Sequence, residues 1–126
     1  MPLVRIHLRR GRSEEYRRSV ADAVHEALVA QANVPQDDRF QLLFEHDAEG
    51  MIAHPSYGGV QRSQDLVIIE ITLNAGRSID IKKALYADIA KRLGDAAAIR
   101  PDDVMVNLVE VTKENWSFGG GKATYA

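Results

Sequence analysis

The chain has 126 residues, 45% of them hydrophobic, and a formal net charge of −2, which is enough material for one core and too little to argue for a second domain. Acidic and basic residues are interspersed, so neither a nucleic-acid platform nor a polybasic membrane surface is supported. The absence of cysteine excludes disulfides, thiolate nucleophiles and Cys-based zinc sites, and with no membrane-length apolar run and no secretory-type leader a cytoplasmic protein is expected.

The chain opens MPLVRIHL, in which VRIHL alternates as a strand should. Pro2 stands where a strand tolerates proline, at its first position, because no ladder bond is lost there. It also has a chemical reading. If Met1 is cleaved, as a small second residue permits, Pro2 becomes a secondary amine whose pKa starts near ~8, where its surroundings decide between acid and base. After the tripeptide GRS at residues 11–13, Tyr16, Val20, Val24, Ala27 and Leu28 recur at helical spacing, with Ser13 as cap and Glu14 and Glu15 in the first turn. VPQDDRFQLLFE then leads into a second strand ending at Glu45. Residues 47–65 carry three glycines and a proline, a long connection that reads equally as a functional or oligomer-contacting loop and as a flexible bridge.

The same order then repeats. LVIIEITL at residues 66–73 is a strand, GRS recurs at residues 76–78, and Ile81, Leu85, Ile89 and Leu93 mark a helix capped by Ser78, with Asp80 in its first turn. IRPDDVMVNLVE follows, ending at Glu110, with VMVNLVEV as the fourth strand. Two β-α-β units, about residues 2–46 and 66–112, with a connecting loop at residues 47–65 and a C-terminal segment at residues 113–126, thus form one α/β (α+β) domain spanning residues 1–126. Each unit has parallel strands and a right-handed crossover. The expected product is a four-stranded sheet with two helices on one face. Its strands are apolar on both parities, which calls for the other face to be buried by further copies of the chain.

Taken together, the opening Met-Pro-Leu, the duplicated units, VPQDDRF, the AGRS turn and the ending NWSFGGGKATY resemble the tautomerase superfamily of amino-terminal proline enzymes, and within it the malonate semialdehyde decarboxylase branch. The likeness covers essentially the whole chain. It implies a homotrimer with one site per subunit and no metal or organic cofactor. The implied residues are Pro2 as the catalytic proline, Asp38 orienting water or substrate, Arg77 binding a carboxylate, and Trp116 and Phe118 walling the pocket. The branch's Arg-Pro-Arg turn reads Asn74, Ala75, Gly76, Arg77 here, so one cation of that pair is replaced, and Asn74 joins the substrate-binding set.

Each of these residues also has a plainer role open to it. Asp37 and Asp38 after Pro35 make an ordinary turn, as Asp102 and Asp103 after Pro101 do in the second copy. Arg77 has a counterpart in Arg12, which points to a solvated surface arginine, although Arg77 beside the Ser78 cap is also placed to bind a carboxylate. Trp116 and Phe118 suit core packing. The histidines His7, His25, His46 and His54 lack metal-ligand spacing, and His7 and His25 are expected to pack at a surface or interface.

The expected activity is decarboxylation of a small 3-oxo acid, with hydratase or tautomerase side activity. A tautomerase of a 2-oxo acid enol and a non-catalytic scaffold are the alternatives. The partners expected are a small oxo acid and further copies of the chain, with neither nucleic acid nor membrane.

Overall fold

The computed structural model describes residues 1–125. Strands β1 (Pro2–Arg9), β2 (Gln41–His46), β3 (Val67–Asn74) and β4 (Val104–Val111) form one sheet in the order β2-β1-β3-β4, with helices α1 (Glu14–Gln31) and α2 (Ile79–Ala97) as the crossovers. β1 is parallel to β2 and β3 to β4, while the central pair β1 and β3 is antiparallel. Two β-α-β units therefore meet back to back, and the ends of the sheet are related by the duplication. Among the described residues no helix is long and apolar enough to cross a membrane.

The repeat extends to fine detail. Ser13 and Ser78 accept from the amides of Tyr16 and Ile81 at 3.0 and 3.2 Å, each satisfying an orphan donor of a first helical turn. The ion pairs Arg17–Glu45 and Lys82–Glu110, at 3.4 and 3.0 Å, tie each helix to the strand that follows it. Both chain reversals after the helices use a left-handed residue, Asn33 at φ 56° and Ala98 at φ 55°. The next amides, of Val34 and Ile99, return to the carbonyls of Leu28 and Leu93. Asparagine tolerates this conformation, whereas alanine strains its Cβ against the following carbonyl. Ala98→Gly is therefore expected to raise stability by about 0.5–1 kcal/mol, read as a higher urea midpoint with an unchanged slope.

One face of the sheet makes the core. Val4, Ile6 and Leu8 of β1 and Val67, Ile69, Ile71 and Leu73 of β3 are buried against Val20, Val24 and Leu28 of α1 and Leu85, Ile89 and Leu93 of α2. The opposite face differs from the sequence expectation of two apolar parities. Its rims are apolar, with Leu42, Phe44, Met105 and Val109 exposed, but its centre is polar. There His7 bonds Glu70 at 2.6 Å and His46 at 2.8 Å, and Arg5 reaches the Thr72 hydroxyl. Counting apolar residues along each strand misses this, because the polar side chains become a connected network only once β1, β2 and β3 are aligned. A second correction concerns His25. It is buried inside the chain, at 2% exposure, and donates from Nε2 to the Gln36 carbonyl at 2.8 Å, so it pins the α1 exit and is not a surface or interface group.

Candidate active site

Topology brings the singled-out residues to one end of the sheet. Pro2, at the start of β1, lies opposite Leu73 near the end of β3, and Asp38 precedes β2, which runs parallel to β1. The carboxyl end of β3 supplies Asn74 and, through the tight turn at Gly76 (φ 128°), Arg77. β4 ends beside it, where Ala75 N–H bonds the Val111 carbonyl at 2.9 Å, and the chain continues to Trp116 and Phe118.

The opening proline costs the sheet nothing: the bond that joins this end of β1 to the β2 side runs from Val4 N–H to the Phe40 carbonyl, at 2.9 Å. In the chain as given the Pro2 nitrogen is acylated by Met1. The Met1 side chain is only 7% exposed, and its amine stands 3.4 Å from Asp38 Oδ2. The Met1 side chain thus fills an enclosed chamber at this end of the sheet, beside the Asp38 carboxylate.

Asp38 and its counterpart Asp103 have different surroundings. Asp103 is fully buried and both its oxygens are engaged: Oδ1 by Ser63 N–H, Oδ2 by the Ser63 hydroxyl, each at 2.6 Å, with Arg100 also on Oδ2. Burial alone pushes its pKa up, but the Ser63 and Arg100 hydrogen bonds outweigh it and hold the carboxyl below its ordinary value. Asp38 makes the same turn, its N–H bonding the Pro35 carbonyl at 3.0 Å, yet its Oδ1 is buried with no hydrogen-bond partner among the described residues. A buried carboxylate oxygen without a donor is costly in a structural residue and useful in a site that must accept one from a guest. The neighbouring Arg39 does not supply it, since its guanidinium is spent on Asp22 at 2.6 Å and Gln41 at 2.8 Å.

Arg77 is held by three donations to backbone carbonyls: Nε and Nη2 to Ala32, at 3.1 and 2.9 Å, and Nη1 to Asn74, at 3.2 Å. Ala32 caps the end of α1, so the guanidinium sits against the negative end of that helix. Three of the five N–H donors are thereby used, and one remains on each terminal nitrogen. Arg12, the counterpart, is instead paired with Asp65 and lies 4.7 Å over the Tyr16 ring. Asn74 accepts from the Trp116 indole at 2.7 Å, and Trp116, Phe118 and Tyr125 form a chain of aromatic contacts with centroids 5.9 and 5.1 Å apart. Tyr125 was not legible as part of this wall, because only the folded tail brings it to Phe118.

A shallow groove of about 380 Å³ between the two helices is less apt. Its charged walls are already paired, Arg92 with Asp88 and Glu26 and Asp22 with Arg18 and Arg39, so it offers solvated helix surface and no free reactive group.

Known proteins resemble this chain over nearly its whole length. Two family profiles, each described as tautomerase enzyme, match residues 38–119 and 2–60. The chain belongs to the tautomerase family. Two probable tautomerases of Bacillus subtilis (strain 168), YusQ and YrdN, are 38% and 34% identical to it over 98% and 99% of its length and 97% and 96% of theirs. Among solved structures, FG41 malonate semialdehyde decarboxylase inhibited by 3-bromopropiolate superposes with a TM-score of 0.91 at 42% identity, covering 98% of this chain and 93% of that one. Another malonate semialdehyde decarboxylase, described for its decarboxylase and hydratase activities, gives 0.91 at 33% identity, over 98% and 95% of the two chains. Native fused 4-OT, at 20% identity and a TM-score of 0.80, shares the fold. This member of the tautomerase superfamily of enzymes thus has the duplicated β-α-β architecture of its relatives, and the end of the sheet nearest Pro2 is where its candidate groups converge.

Proposed function

We propose that this tautomerase-family enzyme, after loss of Met1, uses Pro2 to decarboxylate a small 3-oxo acid of the malonate semialdehyde kind, as a cytoplasmic homotrimer and without a metal or organic cofactor. The observation that carries the reading is that the chain's start packs against Asp38, the Met1 side chain enclosed and its amine 3.4 Å from the Asp38 carboxylate. Excision of Met1 empties that chamber and leaves a secondary amine at its wall. Asp38 favours the charged form of that amine. The 42% identity to a malonate semialdehyde decarboxylase supports the substrate class. The apolar rims of the open sheet face support assembly, since exposed Leu42, Phe44, Met105 and Val109 gain by burial against other copies.

In the proposed reaction the Pro2 cation polarises the 3-oxo oxygen of the substrate, and Arg77 holds the carboxylate with its remaining N–H donors. The bond from C2 to the carboxyl carbon breaks. Its electron pair moves into the C2–C3 bond as the oxo oxygen takes the proton, and carbon dioxide leaves. The enol then takes a proton at C2 and returns one from oxygen, giving the aldehyde. Asp38 Oδ1, lacking a donor among the described residues, accepts from a water or from the hydrated aldehyde, the step a hydratase side activity would use. Trp116, bonded to Asn74, and Phe118 beside it line the side of the site formed by the C-terminal segment.

The two Bacillus relatives, named probable tautomerases, favour a second reading in which neutral Pro2 moves a proton between carbons of a 2-oxo acid enol. Both are tested by measuring carbon dioxide release from malonate semialdehyde beside ketonisation of phenylenolpyruvate, on protein whose mass shows that Met1 is gone. Carbon dioxide release as the faster reaction is the expected result. Activity on neither compound would leave a scaffold of this fold as the better account. Arg77→Ala is expected to raise KM by about 10- to 100-fold with a smaller change in kcat, the loss of a charge-assisted contact to a carboxylate. Arg77→Lys, which keeps the charge but not the fork, should fall between the two, and an unchanged KM in both removes Arg77 from the site.

A further inference from the structure

The open face of the sheet carries a cluster that the chemistry at Pro2 does not use. His7 stands at its middle, with Glu70 on Nε2 at 2.6 Å, His46 on Nδ1 at 2.8 Å and the Phe44 ring stacked on it at a centroid distance of 4.8 Å. An ionised carboxylate only accepts, so His7 Nε2 carries a proton. One further proton lies between His7 Nδ1 and His46 Nε2, because a hydrogen bond joins one donor to one acceptor. While that contact lasts, the two rings together hold no more than one positive charge. His46 Nδ1 has no partner among the described residues and is not buried, so it is open to a further proton.

The charges around the pair are mostly of its own sign. On this face β1 adds Arg5, opposite Glu70 in the pairing register, and Arg9, whose guanidinium bonds the carbonyls of Met51, Ser63 and Gln64. β4 sets neutral Asn107 beside Glu70. In the connection after β2, Asp47 is paired with Arg10, and Glu49 bonds neither histidine. Glu70 is thus the one carboxylate bonded to the pair among the described residues. The rims of the face repeat each other. Aligned on the two GRS turns, Phe40 and Phe44 fall on Met105 and Val109, and all four are exposed. A face with two like rims meets, in a second copy of the chain, the surface it presents itself, and its centre is already hydrogen-bonded within one chain.

We infer that assembly of this chain on its open sheet face is controlled by protons at the His7–His46 pair: the copies associate while the two rings share one proton, and uptake of a second separates them. The inference rests on the assembly proposed above. On a bare face water solvates the second charge; under another copy that water is gone, and the charge lies among Arg5 and Arg9 with only Glu70 to offset it. The separated chain therefore binds the second proton more readily than the assembled one. The state that binds more protons gains as pH falls, so association weakens through the range where histidine titrates, about pH 8 to 5. The fold outlasts it, because the Asp103 carboxyl is held below its ordinary value of about 3.9.

The test is sedimentation equilibrium of the full-length protein at about pH 8 and about pH 5.5, with far-ultraviolet circular dichroism to verify that the fold is kept. The association constant is expected to fall about 10- to 100-fold between them. His46→Gln keeps an acceptor for His7 and takes up no proton, so its constant should change by less than about threefold. Glu70→Gln removes the one offsetting charge, and the fall should begin at higher pH. These opposite displacements separate a protonation effect from loss of packing. A wild-type constant that does not change, or a His46→Gln constant that falls as far as the wild type's, overturns the inference and leaves the assembly reading in place. A chain that is monomeric at both pH values overturns the two together. Because mass is measured without substrate, a failure to release carbon dioxide bears on the decarboxylase proposal alone.

Discussion

Pro2→Ala is expected to reduce kcat/KM for carbon dioxide release by about 10²- to 10⁴-fold, the range associated with losing a positioned acid or base. Alanine also permits removal of Met1, so the variant still presents an amine at the chamber wall. That amine is primary, on a rotor without the ring that fixes the proline nitrogen, and it enters the transition state less well aligned. The sheet should hardly register the change. The bond that secures the start of β1 to the β2 side is donated by Val4 to Phe40, and Pro2 contributes no N–H to the ladder. A stability change within about 1 kcal/mol is therefore expected alongside the kinetic loss. The two readouts together are decisive: a rate within threefold of wild type removes the amine from the chemistry, and a large loss of stability would mean that the proline serves packing. A control retaining Met1, made by placing a bulky residue at position 2, should be inactive whatever its stability, because the Met1 side chain then stays in the chamber.

The architecture was legible because it is written in local signals, and written twice. GRS precedes both helices, both serines cap as expected, and the apolar spacing after Ser13 and Ser78 gives α1 and α2 directly. The strands follow from branched runs between turn residues, and the crossover rule then makes each unit parallel. What sequence reasoning could not reach depends on partners distant in the chain. Asp38 and Asp103 look alike in their local motifs, and only the arrival of Ser63 from the long connection separates a saturated carboxylate from an under-satisfied one. His25 reads as a helix-surface residue until the Gln36 carbonyl is found beneath it. Asn74 and Trp116 lie on different elements, and no periodicity relates an amide at a strand end to an indole in the C-terminal segment. The polar centre of the open sheet face was hidden for the same reason, since His7, His46 and Glu70 come from three strands.

The divergence of the two aspartates yields the second large expected effect, on stability. Asp103→Ala should lower the unfolding free energy by about 3 kcal/mol, from the loss of charge-assisted bonds to Ser63 in a fully buried setting, less the desolvation the carboxylate no longer suffers. Asp38→Asn, at the equivalent turn, should cost little or even stabilise, because the carboxylate it replaces has a buried oxygen that none of the described residues satisfies, while activity falls. The acid behaviour of the first pair follows from the direction of the shift. The Asp103 carboxyl is held below its ordinary value in the folded chain, so its stabilisation is complete above the unfolded pKa of about 3.9 and disappears as pH drops through the lower folded value. Denaturant midpoints of wild type and Asp103→Ala, taken at one protein concentration so that assembly contributes equally, should be well separated at pH 7 and converge below about pH 4. A constant gap across that range would show that Asp103 acts through its shape and not its charge. A larger stability loss in Asp38→Asn than in Asp103→Ala would reverse the assignment of the two ends of the sheet, placing the structural carboxylate beside Pro2 and leaving the chamber there without its proposed acceptor.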